Sequence, residues 1–341
     1  MIYRSKAPLR IGFAGGGTDV SPYSDEYGGA ILNGTINLFA YASIEPTDDG
    51  KITLHAADKN LTLTFDSATE IPTGGGLDLQ VGAYNRIVKD FAKKPLSFRM
   101  TTFIDAPSGS GLGTSSTLMV AILGAYVEWF GLPLGEYDIA HLAYEIERID
   151  LGMLGGKQDQ YAATFGGFNF IEFKANDSVI VNPLRIRERY KHELAHNLLL
   201  FYTETSRESS AIIAMQRDSA AAKSGAAVEA MHKLKEQSVM MKEALLKGEV
   251  NRMGEILHFG WENKKQMAKG ISNEMIDGFY TQAMNAGATG GKISGAGGGG
   301  FMIFYCPGNS RHAVIEALAE QGGKIQPFQF YNDGLLTWKG E

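Results

Sequence analysis

The chain has 341 residues, 44% of them apolar and 21% charged, with a formal net charge of −6. That length can bury a sizeable core and has room for two domains, while the acidic balance lacks the basic face a nucleic-acid binder needs. No run approaches the roughly 20 apolar residues that span a bilayer, no signal-peptide core follows Met1, and Cys306 is the only cysteine, so no intramolecular disulfide can form; the expectation is a cytoplasmic protein without membrane or nucleic-acid partners.

In chain order, the first third reads as mainly β. Residues 30–44 are apolar and rich in strand formers, 51–56 alternate, and Leu61, Leu63 and Phe65 alternate with threonines at a period of two. Residues 78–93 place Val81, Tyr84, Ile87, Val88 and Phe91 on one helical stripe. Residues 96–104 return to strand character and lead into a glycine-rich loop. Helical spans follow at 114–130 and 137–151, then a strand entered from a tight turn at 166–173 and an apolar run at 179–181. A boundary is expected near Asn182 and Pro183, giving an N-terminal unit, 1–183, and a C-terminal unit, 184–341. The second unit opens with a charged stretch, 185–193, and a buried strand, 198–202. Helices are expected at 206–218, 226–246, 250–269 and 273–286, followed by a strand pair around another glycine run, a helix at 309–320 and a β-like run at 325–331. The order is mixed rather than a regular βαβα alternation, which favours α+β over a doubly wound sheet.

The loop reads Pro107-Ser108-Gly109-Ser110-Gly111-Leu112-Gly113-Thr114-Ser115-Ser116-Thr117 and runs straight into the apolar helix. Alternating glycines let the backbone turn tightly and present successive N–H groups to an anion. The free N–H groups and positive dipole end of the following helix complete a phosphate cradle. The hydroxyls of Thr114, Ser115 and Ser116 are oxygen donors suited to Mg²⁺. Two companions flank it in sequence: Pro8-Leu9-Arg10-Ile11-Gly12-Phe13-Ala14-Gly15-Gly16-Gly17-Thr18-Asp19 near the start, and Lys292-Ile293-Ser294-Gly295-Ala296-Gly297-Gly298-Gly299-Gly300-Phe301 near the end.

The order and spacing of these three segments resemble the GHMP small-molecule kinases, and the central one is similar to that family's Pro-x-x-x-Gly-Leu-Gly-Ser-Ser signature, with Thr114 in place of the first serine. The resemblance covers essentially the whole chain. It implies an N-terminal nucleotide-binding domain like ribosomal protein S5 and a ferredoxin-like C-terminal GHMP domain, with ATP and acceptor between them. It also implies that residues Pro107, Gly109, Ser110, Gly111, Leu112, Gly113, Thr114, Ser115 and Ser116 bind the nucleotide. Gly16, Gly17, Thr18 and Asp19, with Gly297, become the substrate-binding set; Ser115 and Glu147 become Mg²⁺ ligands; Asp159 becomes the catalytic carboxylate and Arg10 the cation that offsets transferring charge. The run Gly156-Lys157-Gln158-Asp159-Gln160 is similar to the galactokinase segment around that aspartate. The continuation of the first segment, Val20-Ser21-Pro22-Tyr23-Ser24-Asp25-Glu26-Tyr27-Gly28-Gly29-Ala30, resembles the family's heptose 7-phosphate kinases, which act at an anomeric hydroxyl. Fucose or another free hexose is the alternative acceptor. Arg4, Lys6, Arg86, Lys157, Arg207 and Lys292 are the candidates for a sugar-phosphate clamp, and their spacing selects none of them.

Two rival motifs compete. Gly295, Gly297 and Gly300 satisfy G-x-G-x-x-G, yet the next residues are strand-like, whereas a dinucleotide fingerprint opens a helix. His192-Glu193-Leu194-Ala195-His196 satisfies the zinc-peptidase pattern, but it abuts the strand at 198–202 and no third histidine follows at the required spacing. Each charged candidate also has a plain structural role open to it. Glu145, Glu147 and Asp150 could instead form a solvated helix face, Arg10 a structural ion pair, and Asp19 a helix N-cap or Asx-turn.

Overall fold

The computed structural model describes residues 1–205, 209–221 and 225–341. Its larger sheet has eight strands. These are β1 (Ile2–Ala14), β2 (Gly29–Pro46), β3 (Lys51–Ala56), β4 (Leu61–Asp66), β5 (Phe98–Ile104), β6 (Phe168–Phe173) and β7 (Val179–Pro183), joined by one strand from the tail. The backbone of the long strand β2 is shared out along its length. Its first half pairs with β6 through Gly29 to Gly34, and its second half pairs with β5 through Ala40 to Pro46. β1 runs antiparallel along β2, with irregularities at Pro8/Arg10 and Gly12/Ala14 where the first glycine segment leaves the sheet. Period-two patterning is visible in β5, whose Phe98, Met100 and Ile104 are buried between exposed neighbours.

The Thr114–Phe130 helix packs on this sheet and is buried on every face from Ser116 through Tyr126. A helix apolar all round belongs in a core, and here it fixes where its N-terminus, fed by the glycine loop, emerges. Two other helices end in π-turns, Glu136–Glu145 passing into Ile146–Asp150 and Asp78–Ile87 into Val88–Ala92.

The second sheet contains β8 (Leu198–Tyr202), β9 (Gly290–Ile293), β10 (Phe301–Tyr305) and β11 (Lys324–Ile325) in the order β11-β8-β10-β9, every pair antiparallel. Helices fall between β8 and β9 and between β10 and β11, so this is the βαββαβ ferredoxin-like arrangement. Alternate residues of β8 enter two cores: Leu198 and Leu200 join the one continuous with the first sheet, while Leu199 and Phe201 join the one beneath the Glu274–Asn285 and Arg311–Ala319 helices.

Several expectations change in detail. β1 is a 13-residue strand through Pro8 and Arg10, so the first glycine segment begins inside a strand. A short helix, Tyr23–Tyr27, follows that segment. The span 325–331 pairs only at Ile325 and through the bridge Ile36–Phe330, and the real final strand is β12 (Leu336–Gly340), which crosses back to pair with β1. The change of sheet falls between Pro183 and Leu198. We propose the 183/184 division with β12 assigned to the first unit.

Candidate active site

The three glycine segments meet at one atom. The carbonyl oxygen of Gly111 accepts hydrogen bonds from Arg10 Nη1 at 2.6 Å and from Ser294 Oγ at 2.8 Å. Backbone bonds reinforce the junction, Arg10 N–H to the Leu112 carbonyl at 3.2 Å and Phe301 N–H to the Ser110 carbonyl at 2.9 Å. The contact needs glycine on both sides. A β-carbon on Gly111 would lie 2.5 Å from the Ser294 carbonyl oxygen, and one on Gly295 would lie 2.7 Å from the Gly111 Cα.

Around this junction opens a cleft of about 690 Å³, lined among others by Arg10, Gly16, Gly17, Asp19, Ser115 and Asp159. Gly109, Gly111, Gly113, Thr114 and Ser116 line it as well. Gly113 holds φ +79° and leads into the Thr114–Phe130 helix, whose first-turn N–H groups have no intrahelical acceptors and point out of its end. No acidic residue occupies that first turn, so the site favours an anion.

Asp159 sits in the first turn of the Gln158–Phe165 helix, facing Gly113. Arg10 is buried on β1 and grips Asp159 Oδ1 through Nε at 2.7 Å and Nη2 at 2.6 Å. Asp19 is fully enclosed; its oxygens accept from Gly17 N–H at 3.2 Å, Gln158 N–H at 3.1 Å and Gln158 Nε2 at 3.4 Å. Burial, and then the nearby Asp159 charge, push its carboxyl above the usual aspartate range. The glycine turn beside it is obligatory, because a β-carbon on Gly156 would fall 1.9 Å from Asp19 Oδ2.

Glu147 lies in the π-turn, buried behind the loop, which rejects the solvated-face reading. Its Oε1 accepts from Ser115 Oγ at 3.0 Å, its Oε2 accepts from Gln160 Nε2 at 2.6 Å, and Arg148 Nη1 lies 3.7 Å away. The Ser115 hydroxyl, which lines the cleft, and the Glu147 carboxylate behind it form an oxygen donor pair of the kind a hard divalent cation takes.

Other expected residues serve the frame. Thr18 Oγ1 donates to the carbonyls of Gly15 at 2.8 Å and Ala30 at 3.2 Å. Leu112 is in the core, Ser110 is buried, and Pro107 accepts from Ser110 N–H at 3.2 Å to close the base of the loop. Gly297 packs on the Ile271 backbone, while its neighbours Gly295 and Ala296 line the cleft. Of the six clamp candidates, Lys292 is in the cleft. Arg86 pairs with Asp90, Glu145 and Asp150, Lys157 with Asp177 and Asp25, Lys6 lies over Phe39 and Tyr331, and Arg4 lies beside Gly340. Arg207 is outside the described residues. Reading the residues overlooked Lys264, which enters the same cleft from the Arg252–Lys264 helix.

The zinc motif lies on a short helix, Glu188–Asn197, which runs directly into β8 at Leu198. Among the described residues no group of three His, Cys, Asp or Glu side chains could hold a metal, and Glu193 Oε1 accepts from Asn197 Nδ2. The third glycine segment is followed by β10, so the dinucleotide reading fails as expected. Among the described residues no helix is long and apolar enough to cross a membrane.

Comparison with known proteins agrees with this architecture. Residues 78–167 match the GHMP kinases N terminal domain and 241–324 the GHMP kinases C terminal domain. The chain is 46% identical, over 98% of both chains, to the D-glycero-alpha-D-manno-heptose 7-phosphate kinase of Campylobacter jejuni. It superimposes with a TM-score of 0.84 on a crystal structure of a D-glycero-D-manno-heptose 1-phosphate kinase from Bacteroides thetaiotaomicron, with 47% identity and 99% of each chain covered. The galactokinase of Lactococcus lactis, solved with galactose, shares the fold at a TM-score of 0.77 but only 18% identity, across 98% of this chain and 95% of that one. Two matched domains and near-complete coverage at this identity make the chain a member of the GHMP kinase family, an enzyme that transfers phosphate to a hydroxyl group.

Proposed function

We propose that this kinase moves the terminal phosphate of ATP to the anomeric hydroxyl of D-glycero-D-manno-heptose 7-phosphate, giving the 1,7-bisphosphate, in a cytoplasmic setting. Two things support this reading: the near-full-length similarity to heptose-phosphate kinases, and a cleft that presents a helix N-terminus, a carboxylate and several cations together. The single observation that carries it is the Arg10–Asp159 pair tied to the phosphate loop through the Gly111 carbonyl.

In this reading the nucleotide phosphates lie on the N–H groups of the 109–116 loop. Asp159 accepts the proton of the attacking hydroxyl, and Arg10, fixed between Asp159 and Gly111, offsets the charge that develops on the phosphoryl oxygens. Asp19 and the Gly16–Gly17 backbone orient the sugar ring. Ser115 and Glu147 would hold Mg²⁺, which supplies charge neutralisation for the phosphates when bound. Cys306 takes no part, since it is buried just after β10, does not line the cleft, and burial pushes its thiol up to about 12.

The test is ADP release across phosphorylated and free sugars, with NMR of the carbon that gains phosphate. Heptose 7-phosphate phosphorylated at C1 is the expected product, and a faster reaction with fucose or another free hexose would replace the substrate assignment. Asp159→Asn keeps the shape of the side chain but removes the proton acceptor, so turnover is expected to fall by about 10²–10⁴-fold with ATP binding retained. Turnover within about ten-fold of the parent would remove Asp159 from that role.

A further inference from the structure

Lys264 and Lys292 stand out because neither has a carboxylate within ion-pairing distance among the described residues, although both ammonium groups are buried. Each instead donates to a backbone carbonyl. Lys292 Nζ reaches the Gly12 carbonyl at 2.9 Å, and Lys264 Nζ reaches that of Gly295. Both come from the C-terminal unit, and both converge on the first glycine segment. A β-carbon at Gly16 would lie 3.7 Å from Lys264 Nζ and 4.0 Å from Lys292 Nζ.

Two buried ammonium groups side by side repel each other and have lost their water, which is costly unless an anion joins them. Burial is the main cause of a depressed pKa for both lysines, and each also feels Arg10. The carboxylates facing them form no ion pair with either ammonium group, although Asp19 attracts Lys264 at longer range. Asp159 is engaged by Arg10, and Asp19 is turned onto the N–H groups of Gly17 and Gln158. The nucleotide end of the cleft has its own positive field, from the Thr114–Phe130 helix N-terminus and from Arg148, which reaches Ser116 Oγ at 3.4 Å. The lysines line the same cleft beside Gly16 and Gly17, the turn that orients the acceptor in this reading.

We infer that Lys264 and Lys292 form the subsite for the phosphate monoester already carried by the sugar, and so set the preference for a phosphorylated acceptor. This rests on the sugar-phosphate reading above. It selects one residue, Lys292, from the six basic candidates and adds Lys264, which motif reading does not reach.

The experiment measures kcat/KM for heptose 7-phosphate and for the free heptose with the parent, Lys264→Met and Lys292→Met. Lys264→Gln and Lys292→Gln serve as second replacements, and thermal melting confirms that each variant folds. The ratio of the two kcat/KM values is expected to collapse by roughly 30- to 1000-fold in each variant, because a charge-assisted contact to phosphate is lost. Folded variants that keep the parent's ratio overturn the lysine subsite alone. An equal loss on both sugars also overturns it, and moves the lysines to the phosphoryl group in transfer. A parent that does not phosphorylate heptose 7-phosphate overturns the substrate reading, and this inference with it.

Discussion

Lys264 carries a cost that a stability measurement can read. Burial, with Arg10 nearby, pulls its pKa from 10.5 down to about 8. The folded chain therefore binds that proton less tightly than the unfolded chain, and the lysine opposes folding below pH 8. The opposition fades as pH rises from about 8 towards 10.5, where only the unfolded state still holds the proton. Lys264→Met removes the buried charge at similar length. It is expected to raise unfolding free energy at pH 7 by about 1–3 kcal/mol. The gap should close as the parent is titrated to pH 10. Urea unfolding of both proteins across that range checks it, and parallel curves would mean that Lys264 is not held as a desolvated cation. A residue kept at such a cost has the profile of a ligand contact rather than a structural one. Its signature was present in the sequence without being conspicuous: Leu257, Trp261 and Lys264 follow a four-then-three spacing on one helical stripe, so a charge sits on the buried face. By contrast Arg10, Asp19 and Asp159 stood out because they lie in or beside glycine-rich segments, and Glu147 through the family resemblance.

At the scale of elements, the glycine segments act as contact surfaces between the two units as much as loops. Gly111 has φ +81°, and any β-carbon there meets the Ser294 carbonyl at 2.5 Å. Gly111→Ala is expected to combine left-handed backbone strain of about 1–2 kcal/mol with a forced separation of the central loop from the third segment. A lower melting temperature and a raised KM for ATP should appear together, because one displacement causes both. An alanine variant with the parent's values for both would show that the junction is loose. Strands with a clean period, such as β4 and β5, were legible in the sequence because one face is wet and the other dry. β1 was not, since Pro8, Arg10 and Gly12 disguise a 13-residue strand that is buried through most of its length. The π-turn that carries Glu147 was equally hidden, because one extra residue per turn leaves the apolar spacing almost unchanged.

At the scale of the whole molecule, the chain closes on itself: β12 returns from the ferredoxin-like unit to cover the outer edge of the first sheet. Five residue pairs join it to β1, from Ile2 with Gly340 to Lys6 with Leu336, and Thr337 Oγ1 donates to Glu128 Oε2 at 2.6 Å. No periodicity within 336–340 could reveal this, because the partner lies at the opposite end of the sequence and Leu336, Trp338 and Lys339 are exposed. Removing 336–341 is expected to leave β1 as an exposed edge, with unpaired N–H and C=O groups open to another chain. Several ladder hydrogen bonds are lost at about 1 kcal/mol each, so melting should fall by at least about 3 °C. Light scattering on warming should show earlier association. None of the residues lining the cleft belongs to β12, and Arg10 remains paired with β2 through Thr35 on its other side. Turnover per folded molecule should therefore stay near that of the full chain. A truncated protein with unchanged melting would show that β12 merely rests on the sheet. One that stays folded yet loses turnover would show that β1 needs its outer neighbour to hold Arg10 against Asp159, and that the tail is part of the catalytic frame.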